Sequence, residues 1–458
     1  MATTIAEVAV TTRKPIPSIE ELPLMGSIHA YNRDRLGFLL ALARSHGDAS
    51  LFHFGPFPLV FFNSAELLRA VLVTHACDFD TGVVRRNAFG PIIGNGLFVS
   101  EGELHRRQRK AMAPAFQPRH IQGYADTMVA YGERAQAAWD DGAVIAVNRE
   151  MIHVTMSVIG KVLLDADVFT EADELGAAIS VALDHINYAI SRLAPVPLSW
   201  PLPRHYRTKR ARALLRARIQ EMIAERRARE TERDDFLSIL LRTRDEDGRP
   251  MSDEQVRDEA ITFFGAGHET TATGLTWAWY LLAQHPHVYR RMQAEVDDAL
   301  HGRPPTYEDL ARLPYTLQVF KEVLRLYPPA YALSRVALHD VAIEGYRIPK
   351  NMTVLMSPYA LHRRADYFPN PSHFDPDRFA PEREAALPRG AYLPFGDGPR
   401  VCIGNHFALM EGHLLLATLA QRVTFDLVAG QCVVPNPQVT TRPRGDIQMV
   451  VRRRDARA

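Results

Sequence analysis

One helical pattern runs from Ser252 to His285, and no other stretch limits the fold as tightly. Ser252 with Gln255 three residues on is a capping-box signature, and His285-Pro286 supplies the stop. At 1.5 Å of rise per residue such a helix is about 50 Å long, enough to cross a domain. Its middle, ITFFGAGHETTATGLTWAWYLL, is apolar on most sides, as in a helix buried all round. Gly265, Gly267, Glu269, Thr270 and Thr271 interrupt that apolar surface. A mid-helix glycine costs about 1 kcal/mol against alanine, so two of them imply that something approaches the backbone closely.

Around this helix the remaining patterns are mixed. The run ASLFHFGPFPLVFF (49–62) has two β-rich halves about Gly55-Pro56, a hairpin signal, and VAIEGYRIPKNMTVLMSPY (341–359) is a second β-rich region. Most other segments carry helical periodicity, including the charged stretch 207–235, read as a solvated helix face. No internal repeat or Ser/Gly linker divides the chain. The expectation is a single domain over 1–458, mainly α with smaller β-sheets (α+β), with residues 1–20 a flexible leading segment. The 54 Lys+Arg and 53 Asp+Glu nearly cancel, so no global field recruits nucleic acid. Cys77, Cys402 and Cys432 are too few and scattered for a disulfide framework or a CxxC zinc site, which implies a reducing compartment. The first residues lack a charged and then apolar signal pattern, and no apolar stretch of about 18 residues follows. A soluble cytoplasmic protein without a membrane anchor is expected.

The stretch FGDGPRVCIG (395–404) places Cys402 among glycines, just before the helical run NHFALMEGHLLLATLAQRV. Free N–H groups and the positive end of a helix favour a thiolate there. Small residues at 398 and 404 suit a large flat ligand lying against the backbone, and Arg400 offers a cation to an anionic group on it. Phe395, Gly398, Arg400, Cys402 and Gly404 match Phe-x-x-Gly-x-Arg-x-Cys-x-Gly without a mismatch. In this the chain resembles the cytochrome P450 family.

The resemblance implies the P450 fold, with haem b (iron protoporphyrin IX) between the long central helix and the Cys-ligand loop. Cys402 would be the axial thiolate, a ligand that favours O–O cleavage. Glu322 and Arg325 match the family's Glu-x-x-Arg, and Pro376, Arg378 and Phe379 its Pro-x-Arg-Phe, a buried charge cluster bracing the Cys402 loop. AGHETT (266–271) is similar to the oxygen-activation segment, with Glu269 and Thr270 relaying protons and Ala266 and Gly267 giving room to oxygen and substrate. Taken alone, the Thr270 hydroxyl is expected to bond back to its own helix.

His105 and Arg109, four apart on one helical face, resemble the propionate-binding segment, although tryptophan is commoner where His105 stands. Arg335 fits a further propionate ligand. His268 and His362 are given no haem role. Arg106, Arg107 and Lys110 form a basic face for an acidic ferredoxin or flavodoxin, which with its reductase would deliver electrons from NAD(P)H. The implied activity is insertion of one oxygen atom from O2 into a small apolar substrate such as a fatty acid, terpenoid, steroid or macrocycle. A peroxide-driven peroxygenase of the same fold and a non-oxygenating haem-thiolate sensor are the alternatives. Candidate pocket segments are Phe79 to Phe98, 193–203, Ala266, Ala330 to Leu333 and the loop near Val439.

Overall fold

The computed structural model describes residues 14–22, 24–165, 172–192, 196–228, 235–244 and 248–454. The helices that build the site are, in chain order, α1 (Val83–Ile93), α2 (Gly102–Met112), α3 (Val147–Leu164), α4 (Ala172–Ile190), α5 (Pro203–Ala228), α6 (Asp253–Gln284), α7 (Pro314–Leu326) and α8 (Asn405–Arg422). Strands β1 (Ala49–Phe54), β2 (Phe57–Phe62), β3 (Phe79–Asp80), β4 (Leu333–Ala337) and β5 (Thr353–Met356) form one sheet in the order β1-β2-β5-β4-β3. The C-terminal hairpin pairs β6 (Pro435–Pro437) with β7 (Thr441–Pro443). This is the mainly helical, mixed architecture that the sequence implies.

The central helix α6 begins and ends where its caps place it. Ser252 Oγ accepts from the Gln255 N–H at 3.2 Å, and Pro286 opens the next helix directly after His285. The capping box closes on one side only, because the Gln255 amide donates instead to Glu259 Oε1 at 2.8 Å. Toward its C-terminus α6 fills the core: Trp277 and Trp279 are fully buried, and Trp277 stacks on Tyr327 at 4.0 Å.

Its two glycines face different neighbours. A Cβ on Gly267 would stand 2.7 Å from Ile159 Cδ1 of α3, whereas a Cβ on Gly265 would meet nothing within 4 Å. Close helix packing therefore accounts for Gly267, and Gly265 takes the cavity-facing place expected of it. Thr155 on α3 reinforces that seam by donating to the His268 carbonyl at 3.0 Å.

The Gly55-Pro56 hairpin forms in the register Ala49↔Phe62 to Phe54↔Phe57. β2 runs parallel to β5, and the other pairings of this sheet are antiparallel. Residues 1–13 of the expected flexible segment lie outside the described residues, but residues 14–20 are pinned. Leu51 N–H donates to the Pro17 carbonyl at 2.8 Å, Ile19 N–H to Leu51 at 3.1 Å and Lys14 N–H to Gly345 at 3.0 Å. Extended main chain beside a strand edge finds ready partners, which is why this part is ordered.

The charged stretch is α5 as far as Ala228, with residues 229–234 outside the described residues. It is more than a solvated face, since Leu215, Ile219 and Met222 are buried and Arg226 donates to the Leu164 carbonyl at 3.1 Å.

Candidate functional site

The Cys402 loop is shaped by the protein's own backbone. Gly396 and Gly398 have φ of 71° and 70°, conformations that glycine adopts without steric cost. A Cβ on Gly398 would stand 1.9 Å from the Leu72 carbonyl oxygen. A neighbouring main chain, not a flat ligand, thus dictates Gly398. A Cβ on Gly404 would meet the protein only at 3.8 Å, on Phe116. The Cys402 N–H donates to the Phe395 carbonyl at 3.0 Å, closing the turn just before α8. Burial pushes the Cys402 thiol up, although the Gly404 N–H and the Arg109 cation pull it down. An iron held by Cys402 would itself make the thiolate, because a coordinating thiol is deprotonated outright.

Next to the loop the chain gathers cations. His105 and Arg109 come from α2, Arg335 from β4, Arg400 from the loop itself, and Arg85, absent from the sequence reading, from α1. Burial, then Arg335 and Arg400, lower the Arg85 pKa to about 9; burial and Arg400 lower that of Arg335 to about 10. His105 falls to about 4 through burial and the arginines Arg400, Arg109 and Arg335, so its imidazole is neutral. Glu101 ion-pairs with Arg400, and Asp80 lies 3.6 Å from Arg86. Two carboxylates do not offset four mutually repelling arginines. A thiol ligand beside a buried cationic rim fits a flat group carrying iron and anionic substituents, which is the chemistry of haem.

The loop is braced from behind. Arg325 makes a bidentate pair with Glu322 at 2.6 and 2.8 Å, both fully buried, and Arg378 Nε lies 3.4 Å from the same carboxylate. Arg325 Nη1 donates to the carbonyls of His362 and Pro371 at 2.9 and 2.7 Å, and Nη2 also donates to that of His373 at 3.0 Å. His362 then carries the brace to the loop: it bonds the Arg325 carbonyl through Nδ1 and accepts the Leu393 N–H at 2.8 Å through Nε2. Burial and Arg325 lower its pKa to about 3, consistent with a neutral ring that both donates and accepts. Its positioning role is invisible in the sequence, since the two bonds join residues 31 and 37 positions away.

On the opposite side, α6 presents Gly265, Ala266, Glu269 and Thr270 to an apolar cavity of about 1120 Å³, its open mouth included. Thr270 Oγ1 donates to the Ala266 carbonyl at 2.9 Å, as expected of a helical threonine, which leaves its oxygen to accept from the cavity. Glu269 accepts from Thr440 Oγ1 at 2.8 Å and ion-pairs with Arg442 of β7. His268 Nε2 stands 4.0 Å from the other Glu269 oxygen, while Nδ1 bonds the Phe264 carbonyl at 2.8 Å.

Several expected pocket segments meet here: Phe89, Phe98, Ala266, Ala330 and Val439 line the cavity. Residues 196–203 do not line it, and 193–195 lie outside the described residues. The sequence reading missed the roof, where α4 and α5 contribute residues such as Ile179, Ile186, Leu215 and Met222. Their apolar periodicity is that of any core-facing helix, so nothing marked them.

Comparison with known proteins agrees with this geometry. The cytochrome P450 family model matches residues 16–449. The chain is 39% identical to cyclooctatin synthase of Streptomyces melanosporofaciens over 94% of each chain. It is 36% identical to pentalenene oxygenase of Streptomyces avermitilis over 88% of this chain and 90% of that one. Among solved structures, retinoic acid bound cyanobacterial CYP120A1 covers 97% of this chain at a TM-score of 0.86 and 27% identity, with 100% of its own chain matched. A loop that offers one thiol to iron, a cationic rim and an apolar cavity under a polar helix segment occur together in one sequence relationship spanning nearly the whole length: the chain belongs to the cytochrome P450 family.

Proposed function

We propose that this haem-thiolate monooxygenase hydroxylates a cyclic terpenoid hydrocarbon. The observation that carries the reading is the cavity. Its lining is almost wholly apolar, and its few polar atoms include those of Thr262, Arg218, Glu269, Thr270 and Thr440. Such a pocket selects by shape more than by hydrogen bonding. The names of the relatives, cyclooctatin synthase and pentalenene oxygenase, point to the same substrate class.

Bound through Cys402, haem supplies the activation of O2 that lets one oxygen atom enter a C–H bond. The chain's residues do the rest. Arg85, Arg109, Arg335 and Arg400 would hold the anionic edge of the cofactor, and neutral His105 beside them could donate a hydrogen bond to it. The cavity walls exclude water from the reacting carbon. Thr270 Oγ1, its proton committed to Ala266, accepts from a water and orients it. Glu269, held by Thr440 and Arg442, brings protons to that water.

Electrons come from a separate partner, which we take to be an acidic ferredoxin or flavodoxin supplied by an NAD(P)H-dependent reductase. Arg106, Arg107 and Lys110 on the exposed side of α2 are the docking cations, and Arg106 also pairs with Glu103 at 2.9 Å. Three free cysteines suit a reducing, cytoplasmic setting. Among the described residues no helix is long and apolar enough to cross a membrane.

Titrating the holoenzyme with cyclic sesquiterpene and diterpene hydrocarbons tests the substrate class. A low-spin to high-spin shift and a hydroxylated product by mass spectrometry are expected. A response to long-chain fatty acids with none to the terpenes would overturn it.

A further inference from the structure

Glu411 is a carboxyl group that the reaction described above does not use. It lies on α8, fully buried, and neither of its oxygens has a hydrogen-bond partner among the described residues. The buried side chain opposite it is Thr271 of α6, next to Thr270. Thr262, Thr270, Thr273 and Thr276 each donate to the carbonyl four residues back, at 2.7–2.9 Å. The Thr271 hydroxyl does not and stays unbonded. Its approach to Glu411 is close enough to influence that carboxyl, though short of full hydrogen-bond geometry.

An ionised Glu411 would be a fully buried charge with no ion-pair partner among the described residues and the Thr271 hydroxyl as its one nearby donor, which is costly, whereas a protonated carboxyl carries no charge and brings its own donor. We propose that Glu411 is a neutral carboxylic acid in the folded protein and donates a hydrogen bond to Thr271, tying the helix that follows the Cys402 loop to the central helix. Burial raises the Glu411 pKa to about 8 and outweighs the opposing pull of the Thr271 hydroxyl. Glu411 is thus a positioning residue: through Thr271 it fixes the turn of α6 that carries Thr270. The neutral state stands independently of the proposed substrate, while the effect on coupling rests on the proposed role of Thr270.

Infrared difference spectroscopy of the holoenzyme at pH 7, in H2O and D2O, reads the protonated state directly. A deuterium-sensitive carboxylic C=O band is expected in the wild type and is expected to vanish in Glu411→Gln. Thr271→Val, which leaves Glu411 in place, should shift that band. Gln retains an N–H donor and Leu does not, so Glu411→Leu should leak about threefold or more peroxide per electron pair than Glu411→Gln. Absence of the band in the wild type, a band indifferent to Thr271→Val, or equal leakage from the two variants would each overturn the proposal.

Discussion

The floor and the roof of the cavity are held by different forces. Behind the Cys402 loop, the Glu322, Arg325, Arg378 and His362 groups are buried and joined by directional bonds between residues far apart in sequence. Above the cavity, α1, α4 and α5 meet through apolar side chains, and the directional ties from α6 to the neighbouring loop come from two carboxylates. Asp258 accepts the Asn95 N–H at 3.0 Å, and Glu259 accepts the Leu97 N–H at 2.9 Å. A polar brace allows one geometry, whereas an apolar wall tolerates changes of shape if its volume is kept. A ligand loop needs the first property, and a substrate pocket can use the second.

The largest effect should come from breaking the floor. Glu322→Ala leaves Arg325 and Arg378 buried without their carboxylate, and losing one partner of such a cluster costs about 3–5 kcal/mol. The expected result is low haem content and a carbon monoxide complex lacking the thiolate-type absorption. A fully loaded, spectrally normal Glu322→Ala protein would remove the distinction between floor and roof.

The tie between roof and central helix should show as a pH slope. Burial raises the Glu259 pKa to about 7 in the folded protein. The unfolded chain releases that proton near pH 4.5 and the folded one near 7, so between these values the native state binds more protons and stability falls as pH rises. The span corresponds to a loss on the order of 3 kcal/mol, complete above pH 7. Glu259→Gln keeps an acceptor for the Leu97 N–H and should flatten that slope in thermal melts between pH 5 and 8. An unchanged slope would mean that another group carries it.

Between floor and roof, Thr270→Ala touches neither scaffold. Haem content and melting temperature should match the wild type, while the share of electrons lost as peroxide rises by about tenfold, a change near 1.4 kcal/mol in the partition. Full coupling would leave Thr270 with only its helix bond to Ala266.

How much of this the sequence discloses follows the same division. The floor was legible because its chemistry needs particular residues at fixed local spacings: Cys402 in a glycine turn, Glu322 with Arg325. The long helix was legible through its caps. Hidden from the sequence were contacts made by tertiary approach, such as Arg85 joining the cationic rim, Arg442 reaching Glu269 across 173 positions, and His362 linking α7 to the Cys402 loop. The roof was hidden for another reason: Ile179 and Leu215 look like residues of any buried helix face. Gly267 misled because a small residue opposite Ile159 and a small residue facing a ligand leave the same mark.

The smallest effects sharpen the comparison to a single methyl group. Gly265 and Gly267 are two positions apart on α6, yet one borders the cavity and the other the α3 seam. Both should gain about 1 kcal/mol of helix propensity on change to alanine. Gly265→Ala meets no protein atom within 4 Å, so the gain should appear as a raised melting temperature together with weaker binding of bulky substrates. In Gly267→Ala the new methyl presses on Ile159 Cδ1, and overpacking of about 1–3 kcal/mol cancels or reverses the gain. Adding Ile159→Val removes that Cδ1 and should recover stability in the double variant, with substrate affinity unaltered throughout. If Gly267→Ala instead weakened substrate binding while leaving the melt untouched, Gly267 would belong to the cavity after all, and the division of α6 into a packing face and a cavity face would be lost.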